Sequence, residues 1–211
     1  TQKESQELLG IESLEDGESI AVGYYYGELC FSQEETVNGN EIKLISNGSD
    51  DALIVKYNDN GKVEWAKSFG NIGRDNFYKI KKIEDEYILI GTFQYDFVVN
   101  GEDTKDGNQI VLTNTSTYNS VIIRMNNDGK IISAQSINTN NANYLKDIIV
   151  KDDGYIVVGQ VNASFTISAE NTVSGTDEVI DLIGNNDGVI LKYNLDDKLE
   201  WGKTLGTAEL S

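Results

Sequence analysis

The stretch DALIVKYNDNGKVEWAKSFG, from Asp51 to Gly70, decides the fold because the chain repeats it. It returns as NSVIIRMNNDGKIISAQSIN at Asn119–Asn138 and as DGVILKYNLDDKLEWGKTLG at Asp187–Gly206, with a spacing of 68 residues both times. Each copy has an apolar run, a polar turn and a second run. The apolar runs are short, rich in β-branched residues and bounded by Asn, Asp and Gly, which is typical of strands. The sequence therefore predicts a hairpin that recurs in an all-β repeat.

A second hairpin precedes each copy. The runs SIAVG, YILIG and YIVVG end at Gly23, Gly91 and Gly159, again 68 residues apart, and a short acidic turn with another β-like run lies before each. The first of these runs, Leu8–Leu14, fits if its turn is one residue longer than the others. We therefore expect three four-stranded antiparallel units at residues 1–69, 70–137 and 138–205, with 206–211 starting a further repeat.

A long connection joins the two hairpins of each unit. Each connection contains its own apolar patch: EIKLIS within Ser32–Asp50, QIVLTN within Asn100–Tyr118 and EVIDLI within Ser168–Asn186. Because structureless loops of about 20 residues are uncommon in compact domains, we expect an extra hairpin or longer strands here. These segments differ most between the copies and carry many acidic residues, so they are the expected functional surface.

The polar turns favour hairpins over metal sites. Asn58-Asp59-Asn60-Gly61 places Gly where a short hairpin requires a positive φ, whereas the third copy ends at Asp197 and must adopt the left-handed region there or use another turn. The acidic turns at Asp16, Asp85, Asp152 and Asp153 lack the spacing of an EF-hand calcium loop. Asp50-Asp51 and Asn185-Asn186-Asp187 recur at the start of the third strand, and we expect them to cap it rather than to bind a metal. No metal ligand, cofactor-binding residue or catalytic residue is predicted.

Composition excludes several classes of function. Lys and Arg number 17 against 35 Asp and Glu, and the resulting net charge of −18 repels nucleic acid and anionic membrane surfaces. No apolar run approaches the 18 residues of a membrane-spanning helix, so no membrane insertion is expected.

The chain has no His, which removes the usual general base and the Ser-His-Asp and Cys-His arrangements. Its single cysteine, Cys30, lies between Leu29 and Phe31, and we expect a buried structural thiol.

The repeat resembles the bacterial β-propeller repeats of the seven-bladed, surface-protein type, and its Trp-bearing last strand is similar to that of quinoprotein-like propellers. The motif D-A-x-I-V-K-Y-(N/D)-x-x-G-x-(V/L)-x-W-A-K-S-F-G runs through Asp51–Gly70 and Asp187–Gly206, and more loosely through Asn119–Asn138. The middle copy departs at Met125, Ser133 and Asn138, so its outer strand should be packed less well. The resemblance implies β-propeller-type blades, and an extracellular or cell-surface location on an exported bacterial protein.

Two functions remain open at this point. One is a non-catalytic binding or structural module that recognises a protein or a glycan through the long inter-strand hairpins. The other is a carboxylate-dependent hydrolase or lyase on a propeller scaffold, which would require acids from different repeats to meet in one pocket. Trp65 and Trp201 recur in register and are expected to be mostly buried between blades. At least one of Tyr24, Tyr25 and Tyr26 should face outward and be free to stack on a sugar ring.

Closure adds an expectation about partners. Propellers usually close with about four to eight blades, and this chain has three repeats. The first and last units should therefore expose faces built like the internal interfaces. We expect the chain to be part of a longer propeller, or copies to associate head to tail and complete a ring.

Overall fold

The computed structural model describes residues 4–114 and 116–207, and these residues form eighteen strands and three short 3₁₀ turns. The first repeat contains β1 (Ser5–Ser13), β2 (Ser19–Tyr26), β3 (Glu28–Phe31), β4 (Ile42–Ile45), β5 (Asp51–Tyr57) and β6 (Val63–Phe69). The second contains β7 (Asn76–Ile83), β8 (Glu86–Phe93), β9 (Phe97–Val99), β10 (Ile110–Leu112), β11 (Asn119–Asn126) and β12 (Ile131–Ile137). The third contains β13 (Asn143–Lys151), β14 (Gly154–Val161), β15 (Phe165–Ile167), β16 (Glu178–Ile180), β17 (Asp187–Asn194) and β18 (Leu199–Leu205). The 3₁₀ turns lie at Glu15–Gly17, Gly101–Asp103 and Ala169–Asn171.

Three four-stranded antiparallel sheets form the body of the molecule, as predicted. Their strand orders are β1-β2-β5-β6, β7-β8-β11-β12 and β13-β14-β17-β18. We call them the first, second and third sheets, and in each the first strand is the inner strand and the last is the outer strand. Gly23, Gly91 and Gly159 pair with Leu8, Phe77 and Leu145. That register confirms that the first turn is one residue longer. Of the predicted further repeat at 206–211, residues 208–211 lie outside the described part of the chain.

The long connections fold into small two-stranded sheets, β3-β4, β9-β10 and β15-β16, which confirms the predicted extra hairpins. Buried threonines at Thr36, Thr104 and Thr172 follow the first strand of each small sheet, and each forms a parallel bridge to the start of the outer strand of its unit. The connection thus runs along the outer edge of each four-stranded sheet. An open outer edge would invite pairing with another chain, and this segment covers part of it.

The sheets pack face to face in chain order. The inner strands β1 and β7 contact each other, as do β7 and β13. Phe69 on the outer strand of the first sheet packs against Phe77 of the second, with ring centroids 6.1 Å apart. The outer strand of the middle copy has the same burial pattern as that of the first, and the looser packing expected there stays a prediction.

The hairpin turns follow the expected chemistry. The Asn58 side-chain oxygen accepts hydrogen bonds from the backbone N–H groups of Asn60 and Lys62, at 3.0 and 2.9 Å, and Gly61 has φ of 72°. Asp197, which replaces that glycine in the third copy, has φ of 59°, which is the first of the two alternatives left open for this turn. These contacts identify the loop as a hairpin turn.

Two expectations about burial are wrong. Cys30 is exposed, because it points away from the first sheet while its neighbours Leu29 and Phe31 pack toward it. Partial desolvation and the nearby Glu41 carboxylate raise the pKa of its thiol, which disfavours the reactive thiolate. Trp65 is half-buried, but Trp201 is 39% exposed, since no sheet lies beyond the third among the described residues.

Among the described residues, no helix is long and apolar enough to cross a membrane.

Candidate functional site: a tyrosine-lined cleft

A cleft of about 460 Å³ opens at the end of the molecule where the inner strands of all three sheets begin. Four tyrosines line it, and they come from all three repeats: Tyr24, Tyr78, Tyr118 and Tyr144. Glu7, Asp50 and Arg74 add charges of both signs. We call this feature the tyrosine cleft. Each of its tyrosines is half-buried, so the rings are held in place and still reach solvent.

A β-bulge in each inner strand shapes the cleft. The register of the inner strand shifts between Leu8 and Gly10, between Phe77 and Lys79, and between Leu145 and Asp147. The extra residues at these three shifts are Leu9, Tyr78 and Lys146. Bulges re-aim side chains beside functional sites, and two of these residues, Leu9 and Tyr78, line the cleft.

The cleft is built from repeat positions at which the three copies differ. Strand pairing makes Glu7, Asn76 and Tyr144 equivalent, and likewise Tyr24, Thr92 and Gln160. The 68-residue spacing makes Asp50, Tyr118 and Asn186 equivalent. The apolar positions behind the cleft keep their character in all three copies. Divergence at these positions is what a site with a single, asymmetric ligand would require.

Hydrogen bonds and ion pairs fix the acidic side of the cleft. The Tyr24 hydroxyl donates to Glu7 Oε2 at 2.7 Å, and this bond raises the pKa of Tyr24. Arg74 Nε lies 3.5 Å from Asp50 Oδ2. Both carboxylates therefore have protein partners. Both also belong to the first repeat, so acids from different repeats do not meet in this cleft.

On the side of the cleft opposite Glu7 and Asp50, Lys146 contacts two tyrosine rings. Lys146 Nζ lies 4.9 Å from the ring centroid of Tyr78 and 4.8 Å from that of Tyr144, which is cation–π geometry. The rings of Tyr118 and Tyr144 are 6.2 Å apart and tilted by 36°. The three rings thus form a continuous aromatic wall between the second and third sheets.

A second polar cluster lies buried between the first and second sheets. Asp51 and Asp75 have no exposed surface, and one carboxylate oxygen of each lies within 3.0 Å of the position that a Cβ atom would take on Gly70. The Asn71 and Gln94 N–H groups donate to Asp75 at 3.0 and 3.3 Å.

The environment of this carboxyl pair favours its protonated forms. Burial raises the pKa of Asp75 to about 7, and the neighbouring Asp51 contributes to the increase. Burial also raises the pKa of Asp51 to about 6, against the lowering effect of a hydrogen bond from the Asn47 N–H. Without access from solvent, the pair has a structural role.

The middle copy shows the neutral form of the same arrangement. Asn119 and Asn143 stand 68 residues after Asp51 and Asp75, and the Asn143 amide donates to Asn119 Oδ1 at 3.0 Å. Asn138, the equivalent of Gly70, accepts from the Asn119 amide at 2.7 Å. The middle copy therefore has an uncharged, hydrogen-bonded amide pair at the positions of the two carboxyl groups.

Sequence reasoning found part of the site. Tyr24 lines the cleft, whereas Tyr25 is buried and donates to Ser68 Oγ at 2.9 Å, and Tyr26 is half-buried outside the cleft lining. Asp51 and Asp187 accept backbone N–H bonds from the turns before their strands, as expected for caps. Among the described residues no group of three or more Cys, Asp or Glu side chains is arranged to hold a metal ion.

Sequence reasoning missed the other three tyrosines, Tyr78, Tyr118 and Tyr144. The signal that could have identified them is that the three repeats carry different residues at these positions, whereas the neighbouring strand positions are alike.

Comparison with known protein families gives no matching family model, and comparison with curated proteins finds no relative.

Proposed function

We propose that this chain is a non-catalytic binding module with propeller-type blades, part of an exported bacterial surface protein, and that the tyrosine cleft binds a glycan. The observation that carries the proposal is the meeting of tyrosines from all three repeats in one cleft. Tyrosine combines an apolar ring face with a polar tip, which suits the alternating C–H and hydroxyl surface of a sugar. The location rests on the resemblance of the repeat to bacterial surface propellers.

The blade geometry is supported by how the sheets converge. Inner strands of successive sheets contact one another, while contacts between outer strands of successive sheets are few. Sheets that meet along their inner strands and diverge outward are arranged like the blades of a propeller, whose mouth commonly binds ligands.

The polar groups of the cleft favour a glycan over an extended peptide. Peptides often bind by adding a strand to an open sheet edge, and here the small hairpins cover part of the outer edges of all three large sheets. Glu7, Asp50 and Arg74 instead present acceptors and donors around the rings, which fits the hydroxyl groups of a sugar. The proposed ligand site is therefore the cleft rather than the long hairpins favoured by the sequence.

The hydrolase alternative has less support. It needs two carboxyl groups on either side of a substrate, and the acids with raised pKa values, Asp51 and Asp75, are sealed between sheets. In the cleft, Glu7 and Asp50 are both engaged by protein partners on one side.

Substitution of the aromatic wall tests the proposal. In a glycan-array screen followed by calorimetry, the chain is expected to bind a glycan, and Tyr118→Ala and Tyr144→Ala should each weaken its affinity about tenfold or more, because a tenfold loss needs only about 1.4 kcal/mol of lost stacking. Tyr95→Ala serves as the matched control, since Tyr95 is 53% exposed and lies outside the cleft. The absence of any glycan binding, or binding that both wall variants retain, would contradict the proposal.

A further inference from the structure

The third sheet exposes apolar side chains whose equivalents are buried inside the molecule. Leu205 is 81% exposed, whereas its equivalents Phe69 and Ile137 are 3% and 1% exposed. Val158 is exposed and its equivalents Val22 and Ile90 are fully buried. We call this surface, with Trp201, the trailing face, since it points away from the second sheet.

The first sheet exposes the complementary set. Leu8 and Ile11 are 52% and 66% exposed, although strand pairing makes them equivalent to Phe77 and Ile80, which the first sheet covers. With Leu29 and Phe31, Leu8 lines an apolar groove of about 230 Å³. We call this surface the leading face. At the internal junction, Phe69 packs on Phe77, and Phe77 packs on Phe97, the equivalent of Leu29. The groove is therefore the site that Leu205 would fill if the junction were repeated.

At each junction, a residue on the outer strand of one sheet contacts the hairpin turn of the following sheet. This contact tests more selectively whether the trailing and leading faces are complementary. At the first junction, ring atoms of Trp65 lie 2.9 and 3.1 Å from the position that a Cβ atom would take on Gly129, so a larger residue there would have to displace the indole. At the second junction, Ser133 replaces Trp and Asp197 replaces Gly, and Ser133 Oγ donates to Asp197 Oδ2 at 2.8 Å. The two positions have thus changed together.

The trailing and leading faces carry the combination of the first junction, a Trp on the outer strand and a Gly in the turn. The trailing face has Trp201, exposed, and the turn beside the leading face has Gly61, with no atom within 4 Å of its Cβ position. A turn ending in Asp, like that of the third sheet, would clash with Trp201. The third sheet is therefore built for a neighbour with a glycine turn, and the first sheet has that turn.

Charge is complementary at the same place. Lys67 Nζ pairs with Asp103 Oδ1 at 2.8 Å across the first junction. The equivalent positions on the free faces are Lys203 on the trailing face and Glu35 beside the leading face, so a third junction would again join a cation to an anion.

We infer that the trailing face of one copy of this chain docks on the leading face of a second copy, with Leu205 in the Leu8–Leu29 groove and Trp201 on Gly61. Such a contact is heterologous, and heterologous contacts form rings when their rotation closes. Two copies give six sheets, which lies within the usual range of about four to eight blades, whereas three copies give nine. The occupant is thus a second copy in a closed head-to-tail dimer. This inference does not depend on what the tyrosine cleft binds.

Oligomeric state tests the inference directly. Light scattering should give the chain twice the mass of a 23.3 kDa monomer. Leu205→Asp and Leu8→Asp should each raise the dissociation constant at least a hundredfold, because each places a charge in both junctions of the ring. Val111→Asp is the matched control, since Val111 is exposed on the small sheet of the second repeat and should leave the mass unchanged.

Mixing the two variants distinguishes head-to-tail docking from other dimers. Leu205→Asp and Leu8→Asp chains in a 1:1 mixture should form a heterodimer, since one of its two junctions has Leu205 and Leu8 intact. A two-fold contact of one face with itself would not be restored by mixing. A wild-type monomer at 100 µM, a sign that these faces are covered by something other than a second copy, or failure of the mixture to associate would overturn the inference.

Discussion

Replacing Asp75 by Asn is expected to reduce the stability that the folded chain loses between pH 4 and pH 7 by about 2–4 kcal/mol. Burial and the neighbouring Asp51 raise the pKa of Asp75 in the fold to about 7, and a tenfold change in an acid dissociation constant corresponds to about 1.4 kcal/mol. The amide removes the cost of a buried negative charge. It also leaves one of the two N–H groups that donate to Asp75, those of Asn71 and Gln94, facing an NH2 group, and this loss is the same at both pH values.

The pH dependence follows from proton linkage. Between the ordinary pKa of an aspartate, about 3.9, and the raised value near 7, the folded state holds a proton that the unfolded state has released. The free energy of unfolding therefore decreases as the pH rises through this window and is constant, for this group, above it. Asp50 lies close enough to raise the pKa of both carboxyl groups, so it reinforces the effect.

Urea unfolding followed by tryptophan fluorescence at a series of pH values measures this effect. Asp152→Asn is the matched control, because it removes one negative charge at an exposed position and should change the free energy of unfolding by less than about 0.5 kcal/mol. The reverse change, Asn143→Asp, should destabilise the chain at pH 7 and introduce the same decrease with pH. A wild-type stability that rises from pH 4 to pH 7 relative to Asp75→Asn would show that the carboxyl pair is not protonated in the fold.

The sheets could be predicted from the sequence because their signal is local and occurs three times. Repeated runs such as ALIVKY and YILIG carry strand chemistry, and a gapless spacing of 68 residues fixes which runs are equivalent. Turn chemistry is equally local, down to the left-handed conformation of Asp197. The misjudged residues, Cys30 and Trp201, depend on what lies beyond a strand, and a linear pattern contains no information about that.

The tyrosine cleft could be predicted only in part, because it forms where residues from three different sheets come together in the fold. Tyr78, Tyr118 and Tyr144 are distant in sequence, and a bulge determines where Tyr78 points. Their role emerges only when strand pairing shows that equivalent positions of three sheets meet at one end. The Asp51–Asp75 pair presents a similar obstacle, since Asp75 lies in a connection between two sheets, where the sequence has no strand pattern.

Replacing Arg124 by Ala is expected to destabilise the chain by about 3–5 kcal/mol, because it leaves the Asp197 carboxylate without its counter-ion between two sheets, which is the costly way to break a partly buried pair. Arg124 is 6% exposed and binds Asp197 of the third sheet with two hydrogen bonds, from Nε at 2.8 Å and from one terminal nitrogen at 2.7 Å. Burial lowers the pKa of Arg124, but the bonds to Asp197 outweigh this and raise it, so the guanidinium remains charged. Urea unfolding at pH 7 measures the loss.

Two further variants separate this mechanism from a simple loss of packing. Lys43→Ala breaks an ion pair of similar length with Glu28, but both side chains are nearly half-exposed, so the loss should stay below about 1 kcal/mol. The double variant Arg124→Ala/Asp197→Gly should be more stable than Arg124→Ala alone, because it removes the unpaired carboxylate and restores glycine at a residue with φ of 59°. If the double variant is instead less stable by the sum of both single effects, the two residues are not coupled, and Asp197 contributes to the junction through Ser133 and Tyr155 rather than through Arg124.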